Sequence, residues 1–308
     1  MIHSLIERLP IELLKQLQDC PQSPKWHSEG SVYNHTILVA QNLPNNLDLQ
    51  ACALFHDMGK IFKTKVEEKE DRIKISAIGH EMLVNAYVAT YAGCFEDMDI
   101  NWEMVVEVGK QHMRMHKYLD GTMTNPRKRL EIECMRYFHE LKLVAEADMK
   151  GRSHIVRPVL ILTVGIPGSG KTTWAKGFCQ RSGYDRICPD DIREEVTGNI
   201  SDISRDREVW DLAFDRTEEL LNEGKSIVFD ATNVNSKIRR EICYRFDDKA
   251  VILYKLFPCD KEEAKRRIKA DIEKKVNRSN VPEEVVDRMA EKWYNSQEFF
   301  KNSLRIIK

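Results

Sequence analysis

Val159-Leu-Ile-Leu-Thr-Val164-Gly165-Ile-Pro-Gly168-Ser169-Gly170-Lys171-Thr172 decides the fold of the C-terminal half of this 308-residue chain. Its first six residues form an apolar, β-branched run ended by glycine, the pattern of a strand buried on both faces. The next eight fit G-x-x-x-x-G-K-S/T, a P-loop, and a helical pattern over 172–182 follows. Strand before and helix after separate a phosphate cradle from a glycine-rich turn matched by chance. Gly165, Gly168, Ser169 and Gly170 let successive backbone N–H groups turn inward on phosphate oxygens, and the helix N-terminus adds partial positive charge. Lys171 supplies a point charge across the β/γ bridge of a nucleotide. The Thr172 hydroxyl is placed to ligate Mg²⁺, with Thr173 beside it at the cradle's edge.

Outward from this stretch, apolar runs at 185–188, 226–230 and 250–257 alternate with helical patterns at 204–222 and 237–246. Strands alternating with helices predict a parallel sheet covered on both faces. Asp190-Asp191-Ile-Arg193 follows the second run, and Asp230 ends the third, so both fall where the sheet opens onto its crevice. A carboxylate there can take the proton of an attacking hydroxyl, and an arginine can hold a phosphate. An aspartate in this position can equally be a helix cap, Asp191 especially, and Asp230 a turn residue. The basic clusters Lys265-Arg-Arg267 and Lys274-Lys275-Val-Asn-Arg278 read either as solvated helix faces or as the source of an arginine that closes on a transferring phosphoryl group.

Residues 1–150 have a different period. Apolar positions recur at three- and four-residue spacing over 11–17, 36–41, 49–55, 81–92, 102–116 and 129–147, which predicts helix after helix. Strand alternation is nearly absent there, 72–76 being at best a short excursion. The expected organisation is two domains, an all-α one over residues 1–154 and an α/β one over 155–308.

Composition narrows the functions available. Hydrophobic residues are 42% and charged residues 31%, and the formal net charge is −1, so no global field draws the chain to nucleic acid. The cysteines at 20, 52, 94, 134, 179, 188, 243 and 259 never form a C-x-x-C pair, which argues against a zinc ribbon and suits a reducing compartment. No leader pattern opens the sequence and no apolar run approaches the roughly 18 residues of a membrane span, so a cytoplasmic protein without a membrane partner is expected.

All nine histidines precede Arg157. His56-Asp57 closes the apolar segment 51–55, so both side chains can enter one pocket at a helix end. Imidazoles and a carboxylate converging in this way suit a first-row divalent metal with positions left for water and phosphate. Such a metal lowers the pKa of bound water and neutralises phosphoryl oxygens.

The C-terminal segments resemble the polynucleotide kinase family over most of 158–300. The P-loop matches in full. By resemblance Asp190 is the general base for a 5′-hydroxyl, Arg193 contacts the flanking phosphate, Asp230 supports the site within Asp230-Ala-Thr-Asn233, and Arg278 is a lid arginine on the nucleotide phosphates. A second lid arginine falls at Lys274, a departure from the pattern. The N-terminal order His35, His56-Asp57, His80, His112, Asp148 resembles the HD-domain phosphohydrolases over about 25–152. The segments Trp26-His27-Ser-Glu-Gly30 and Gly79-His80-Glu81 are similar to the HD domain attached to some tRNA nucleotidyltransferases. That resemblance assigns His35, His56, Asp57 and Asp148 to one metal, and His80 and His112 to a second bridged by Asp57. His116, one turn after His112, is an alternative ligand, and Lys60 and Arg152 become phosphate contacts.

Together the two halves resemble bacterial bifunctional end-healing enzymes. The implied activities are phosphorylation of 5′-OH ends with ATP or another NTP and Mg²⁺, and metal-dependent removal of 2′,3′-cyclic, 2′- or 3′-phosphate. The implied partners are broken RNA or DNA ends and a nucleic-acid ligase. The rival readings are a small nucleoside or metabolite kinase fused to a nucleotide phosphohydrolase, and a nucleotide sensor without turnover.

Overall fold

A computed structural model describes residues 1–25, 27, 29–150, 156–258, 260–274 and 279–308. Two compact units emerge. One comprises Met1–Lys65 with Ile75–Val156, the other Val66–Lys74 with Arg157–Lys308.

The first unit is helical. Its central helix, Leu47–Phe55, buries every residue from Leu49 to Phe55 and starts at the Asn46 cap, whose side chain accepts from the Leu49 N–H at 3.0 Å. A helix apolar on all sides belongs in the middle of a bundle, and Val32–Gln41, Trp102–Leu119 and Phe138–Lys150 pack around it. Along Trp102–Leu119 the buried stripe runs Met104, Val105, Val108, Gly109, His112, Met115 and His116. Both histidines thus lie on the core face. On Phe138–Lys150 the stripe Leu141, Val144, Ala145 ends on buried Asp148.

Three expectations for this half need correction. The helix expected over 129–147 is two helices, Pro126–Glu133 and Phe138–Lys150, because the first starts earlier at the Asn125 cap with Pro126 in its first turn and stops at Cys134. The helix expected over 81–92 begins as a 3₁₀ turn, His80–Leu83, before Val84–Tyr91. The stretch expected to be all-α contains a two-stranded sheet, β1 (Lys65–Glu68) with β2 (Ile73–Ser76). Its stability is non-local: the Lys308 N–H donates to Val66 O at 2.9 Å and the Glu68 N–H to Lys308 O at 3.2 Å. Glu68 also accepts from Trp174 Nε1 at 2.9 Å and Lys255 Nζ at 2.6 Å.

The second unit is α/β, as expected. Four parallel strands, β3 (Val159–Val164), β4 (Asp185–Ile187), β5 (Ile227–Phe229) and β6 (Val251–Leu256), lie in the order β4-β5-β3-β6. All six residues of β3 are buried, consistent with its central place, and it registers Leu160 on Ile227 and Leu160 on Ile252. Helices Lys171–Ser182, Pro189–Thr197, Asp206–Asn222 and Ser236–Phe246 make the connections. Core residues Val209, Phe214, Phe229, Ile242 and Phe246 fill the space between sheet and helices. Among the described residues no helix is long and apolar enough to cross a membrane.

Candidate functional site

The phosphate cradle forms where β3 ends. Gly168 (φ +79°) and Gly170 (φ +95°) adopt left-handed backbone that L side chains disfavour. A Cβ on Gly168 would lie 2.7 Å from Ala264 O, so helix Lys261–Glu273 sits directly on the loop. Gly168→Ala combines backbone strain with this clash. We expect a destabilisation of about 1–3 kcal/mol, read by urea unfolding, together with weaker nucleotide binding. Lys171 is buried and donates to Ile166 O at 2.7 Å. Thr172 and Thr173 are exposed, and Thr172 Oγ1 lies 3.4 Å from Asp230 Oδ1. Ser169 Oγ is buried without a hydrogen-bond partner.

Asp190 and Asp191 occupy the first turn of Pro189–Thr197, whose cap position falls on Cys188, so neither carboxylate is the cap residue. Asp190 pairs with Arg193, which is buried and also meets Asp206 Oδ1 at 2.6 Å. Burial works against the Arg193 charge, but Asp206 and Asp190 outweigh it and raise its pKa. Asp230 is buried beyond β5 and receives Arg186, Nε at 2.8 Å and Nη2 at 2.7 Å, while Arg186 Nη1 reaches Asp191 Oδ2 at 2.6 Å. This arginine was not singled out in the sequence because it lies inside the short strand β4. Removing it leaves a buried carboxylate uncompensated. Arg186→Met is therefore expected to cost about 3–5 kcal/mol in urea unfolding, part of it recovered by adding Asp230→Asn.

Arg278 and Arg152 lie outside the described residues. A different arginine, Arg267, stands at the cradle: its Nη1 is 3.4 Å from Gly168 O, and its Nε donates to Glu263 Oε1 at 2.8 Å. Ala264 touching Gly168 places the residue one turn later over the loop. The sequence held Arg267 only as a member of a basic run.

The second site lies in the helical unit, around Asp57. Asp57 Oδ1 is 2.9 Å from His80 Nε2 and 3.7 Å from His112 Nε2. Its Oδ2 is 3.4 Å from both His56 Nε2 and His35 Nε2, and 2.6 Å from Lys60 Nζ. His35 Nε2 is also 3.0 Å from Asp148 Oδ1, and His116 Nε2 is 2.8 Å from Asp148 Oδ2. Two triplets, His35 with His56 and Asp57, and Asp57 with His80 and His112, each bring their ligand atoms within 4.8 Å of one another, all buried. His112, not His116, falls in the second triplet. Lys60 Nζ also donates to Gln22 Oε1 at 2.6 Å.

The electrostatics explain how so many polar groups stay buried. Burial pushes the Asp57 carboxyl up, but Lys60 and His56 outweigh it and hold its pKa well below the usual carboxylate range. Burial, reinforced by His56, holds His112 well below the usual imidazole range, leaving a neutral ring. Burial also opposes charge on His35, yet Asp148 and Glu29 raise its pKa to about 9. A divalent cation among the same carboxylates would displace that proton. Both Asp57 oxygens, His56 Nε2 and His35 Nε2 are buried without a hydrogen bond of good geometry. Nitrogen and oxygen lone pairs converging in this way fit a first-row divalent ion. Glu29, 2.7 Å from His35 Nδ1, was not predicted as part of this site.

Residues 160–294 match the family model described as an AAA domain, just under half of the chain. Among solved structures, the chain is similar to one in the Pnkp1/Rnl/Hen1 RNA repair complex at 25% identity and TM-score 0.45, covering 49% of this chain and 48% of that one. A second structure of a Pnkp1/Rnl/Hen1 complex matches at 28% identity and TM-score 0.35, over 37% of this chain and 40% of that one. This chain thus spans less than half the length of either. A gluconokinase from Sinorhizobium meliloti 1021 matches at 16% identity and TM-score 0.28, over 47% and 97%. The TM-scores of these three are all below 0.5.

Proposed function

We propose that the chain is a bifunctional nucleic-acid end-healing enzyme, a 5′-OH polynucleotide kinase joined to a metal-dependent phosphohydrolase of HD type. The observation that carries this reading is the presence, in one chain, of a P-loop whose Thr172 lies beside Asp230, itself joined through Arg186 to the helix of Asp190 and Arg193, and of a buried Asp57 cluster in which His35 Nε2 and His56 Nε2 have no hydrogen bond of good geometry. Each centre handles a phosphate, by opposite chemistry. The choice of nucleic-acid ends as substrate rests on the sequence resemblance of Asp190-Asp191-Ile-Arg193 and of the histidine order.

In the kinase half, the backbone N–H groups of the loop and Lys171 hold the NTP β- and γ-phosphates, and Thr172 would hold Mg²⁺, which would neutralise phosphate charge when bound. Asp190 takes the proton of the 5′-hydroxyl as its oxygen bonds to the γ-phosphorus and the nucleoside diphosphate leaves. Arg193 holds the adjoining phosphate, and Arg267 balances charge on the transferring group, a role the sequence resemblance gives to Arg278 as well.

In the helical half, His35, His56, Asp57 and Asp148 would hold one divalent ion, and His80 and His112 a second with Asp57 as bridge. Ions there would neutralise phosphoryl oxygens and lower the pKa of bound water. Lys60 adds a fixed positive charge for the phosphate end. The products, a 5′-phosphate and a free 3′-hydroxyl, are the ends a nucleic-acid ligase consumes, which makes such a ligase the natural partner.

End-labelling tests the substrate class. A 5′-OH oligonucleotide should take label from γ-labelled ATP, and Asp190→Asn should abolish transfer. Labelling of free nucleosides with none on the oligonucleotide would establish the small-molecule reading instead.

A further inference from the structure

The histidines around Asp57 are held in two different ways. His56, His80 and His112 each set Nδ1 against the backbone carbonyl three residues earlier: Ala53 O at 2.8 Å, Ala77 O at 2.8 Å and Gly109 O at 2.6 Å. His35 instead sets Nδ1 2.7 Å from Glu29 Oε1, an ion-pair contact without hydrogen-bond alignment, and the Glu29 side chain is only 4% exposed. The same Glu29 oxygen meets His27 Nδ1 at 2.9 Å and Gln22 Nε2 at 3.2 Å. Gln22 in turn accepts from Lys60, which is paired with Asp57. Around the second triplet, among the described residues, the carboxylate near a distal ring nitrogen is Glu81, whose Oε2 stands 3.6 Å from His80 Nδ1, farther than the Ala77 carbonyl.

A neutral carbonyl behind an imidazole fixes its tautomer and orientation. A carboxylate does the same and also pushes electron density through the ring, making the opposite nitrogen a stronger donor. In both arrangements Nε2 is the nitrogen turned toward Asp57. The two halves of the cluster therefore present similar donor atoms with unequal support.

Resting on the phosphohydrolase reading, we propose that Glu29 is a positioning residue that makes the His35 side of the cluster the tighter of two divalent-cation positions. Glu29 does not itself belong to the set converging on Asp57. It acts through His35, with His27 and Gln22 holding it in place.

The test uses the full chain, stripped of metal and titrated with Mn²⁺ alone, without nucleotide, by calorimetry and by the paramagnetic signal of free Mn²⁺. Wild type should bind two ions with unequal affinity. Glu29→Gln, which keeps the side-chain shape and removes the charge, should weaken the tighter step about 10- to 100-fold and leave the other unchanged. Glu29→Ala should weaken the same step at least as much, and His80→Ala should remove the weaker step. Thermal unfolding of the metal-free variants separates these effects from loss of fold. The proposal is overturned if Glu29→Gln leaves both steps unchanged, weakens both equally, or weakens the step that His80→Ala removes. A wild type that binds one ion only, or two with equal affinity, would also overturn it. No Mn²⁺ binding in wild type would overturn the phosphohydrolase reading itself, a different outcome from two equal sites.

Discussion

Asp57→Asn is expected to lower phosphate release from a 2′,3′-cyclic or 3′-phosphate end by at least about a thousandfold, corresponding to roughly 4 kcal/mol of transition-state stabilisation. The same variant should label a 5′-OH end as wild type does. Asp57 is the one carboxylate common to both buried triplets, with contacts to His35, His56, His80, His112 and Lys60. Asparagine keeps the shape but offers one neutral oxygen, so both proposed ion positions lose their bridge together. The loss should exceed that of His112→Ala, which touches only one triplet. The substitution also removes the negative charge that compensates buried Lys60, so unfolding should become easier by about 3–5 kcal/mol. Retained kinase activity distinguishes the loss of chemistry from global unfolding. Steady-state phosphate release and urea unfolding on the same preparation check both halves of this prediction.

Lys171→Ala should do the reverse. The Lys171 ammonium is buried and donates to the loop carbonyl of Ile166 at 2.7 Å; in the proposed reaction it meets the β- and γ-phosphates of the nucleotide. In a phosphoryl transfer the protein contributes mainly positioning and charge, so a missing lysine removes transition-state stabilisation that no neighbour replaces. We expect 5′-end labelling to fall by about a thousandfold or more, with phosphate release unchanged. A parallel loss in both assays would mean that one centre serves both reactions, contrary to the reading given above.

Much of this architecture was legible because it rests on local signals. The β3 run and the loop after it specify a buried strand, a turn and a helix within fourteen residues, and all three are where the pattern places them. The histidine set was legible as an order along the chain, and the buried stripes of the helices explain its convergence, since His112 on Trp102–Leu119 and Asp148 on Phe138–Lys150 continue apolar rows. What escaped depends on partners distant in sequence. Strand β1 needs the backbone of Lys308, far along the chain, so its four residues carry too little alternation to announce themselves. Arg186 is a three-residue-strand side chain whose role appears only once Asp230 and Asp191 are brought beside it. Arg267 is one charge among several in its basic run, and only the close approach of Gly168 to Ala264 sets it at the loop. The break at Cys134 failed to register because the flanking segments share a helical period.

The most direct test of two separate phosphate chemistries in one chain is a single assay. An oligonucleotide bearing a 5′-hydroxyl and a 2′,3′-cyclic phosphate is incubated with the protein, ATP, Mg²⁺ and Mn²⁺, and both termini are followed by mass spectrometry. The account predicts a product with a 5′-phosphate and without the 3′-terminal phosphate, Lys171→Ala blocking only the first change and Asp57→Asn only the second. An oligonucleotide recovered with both ends unchanged would contradict it.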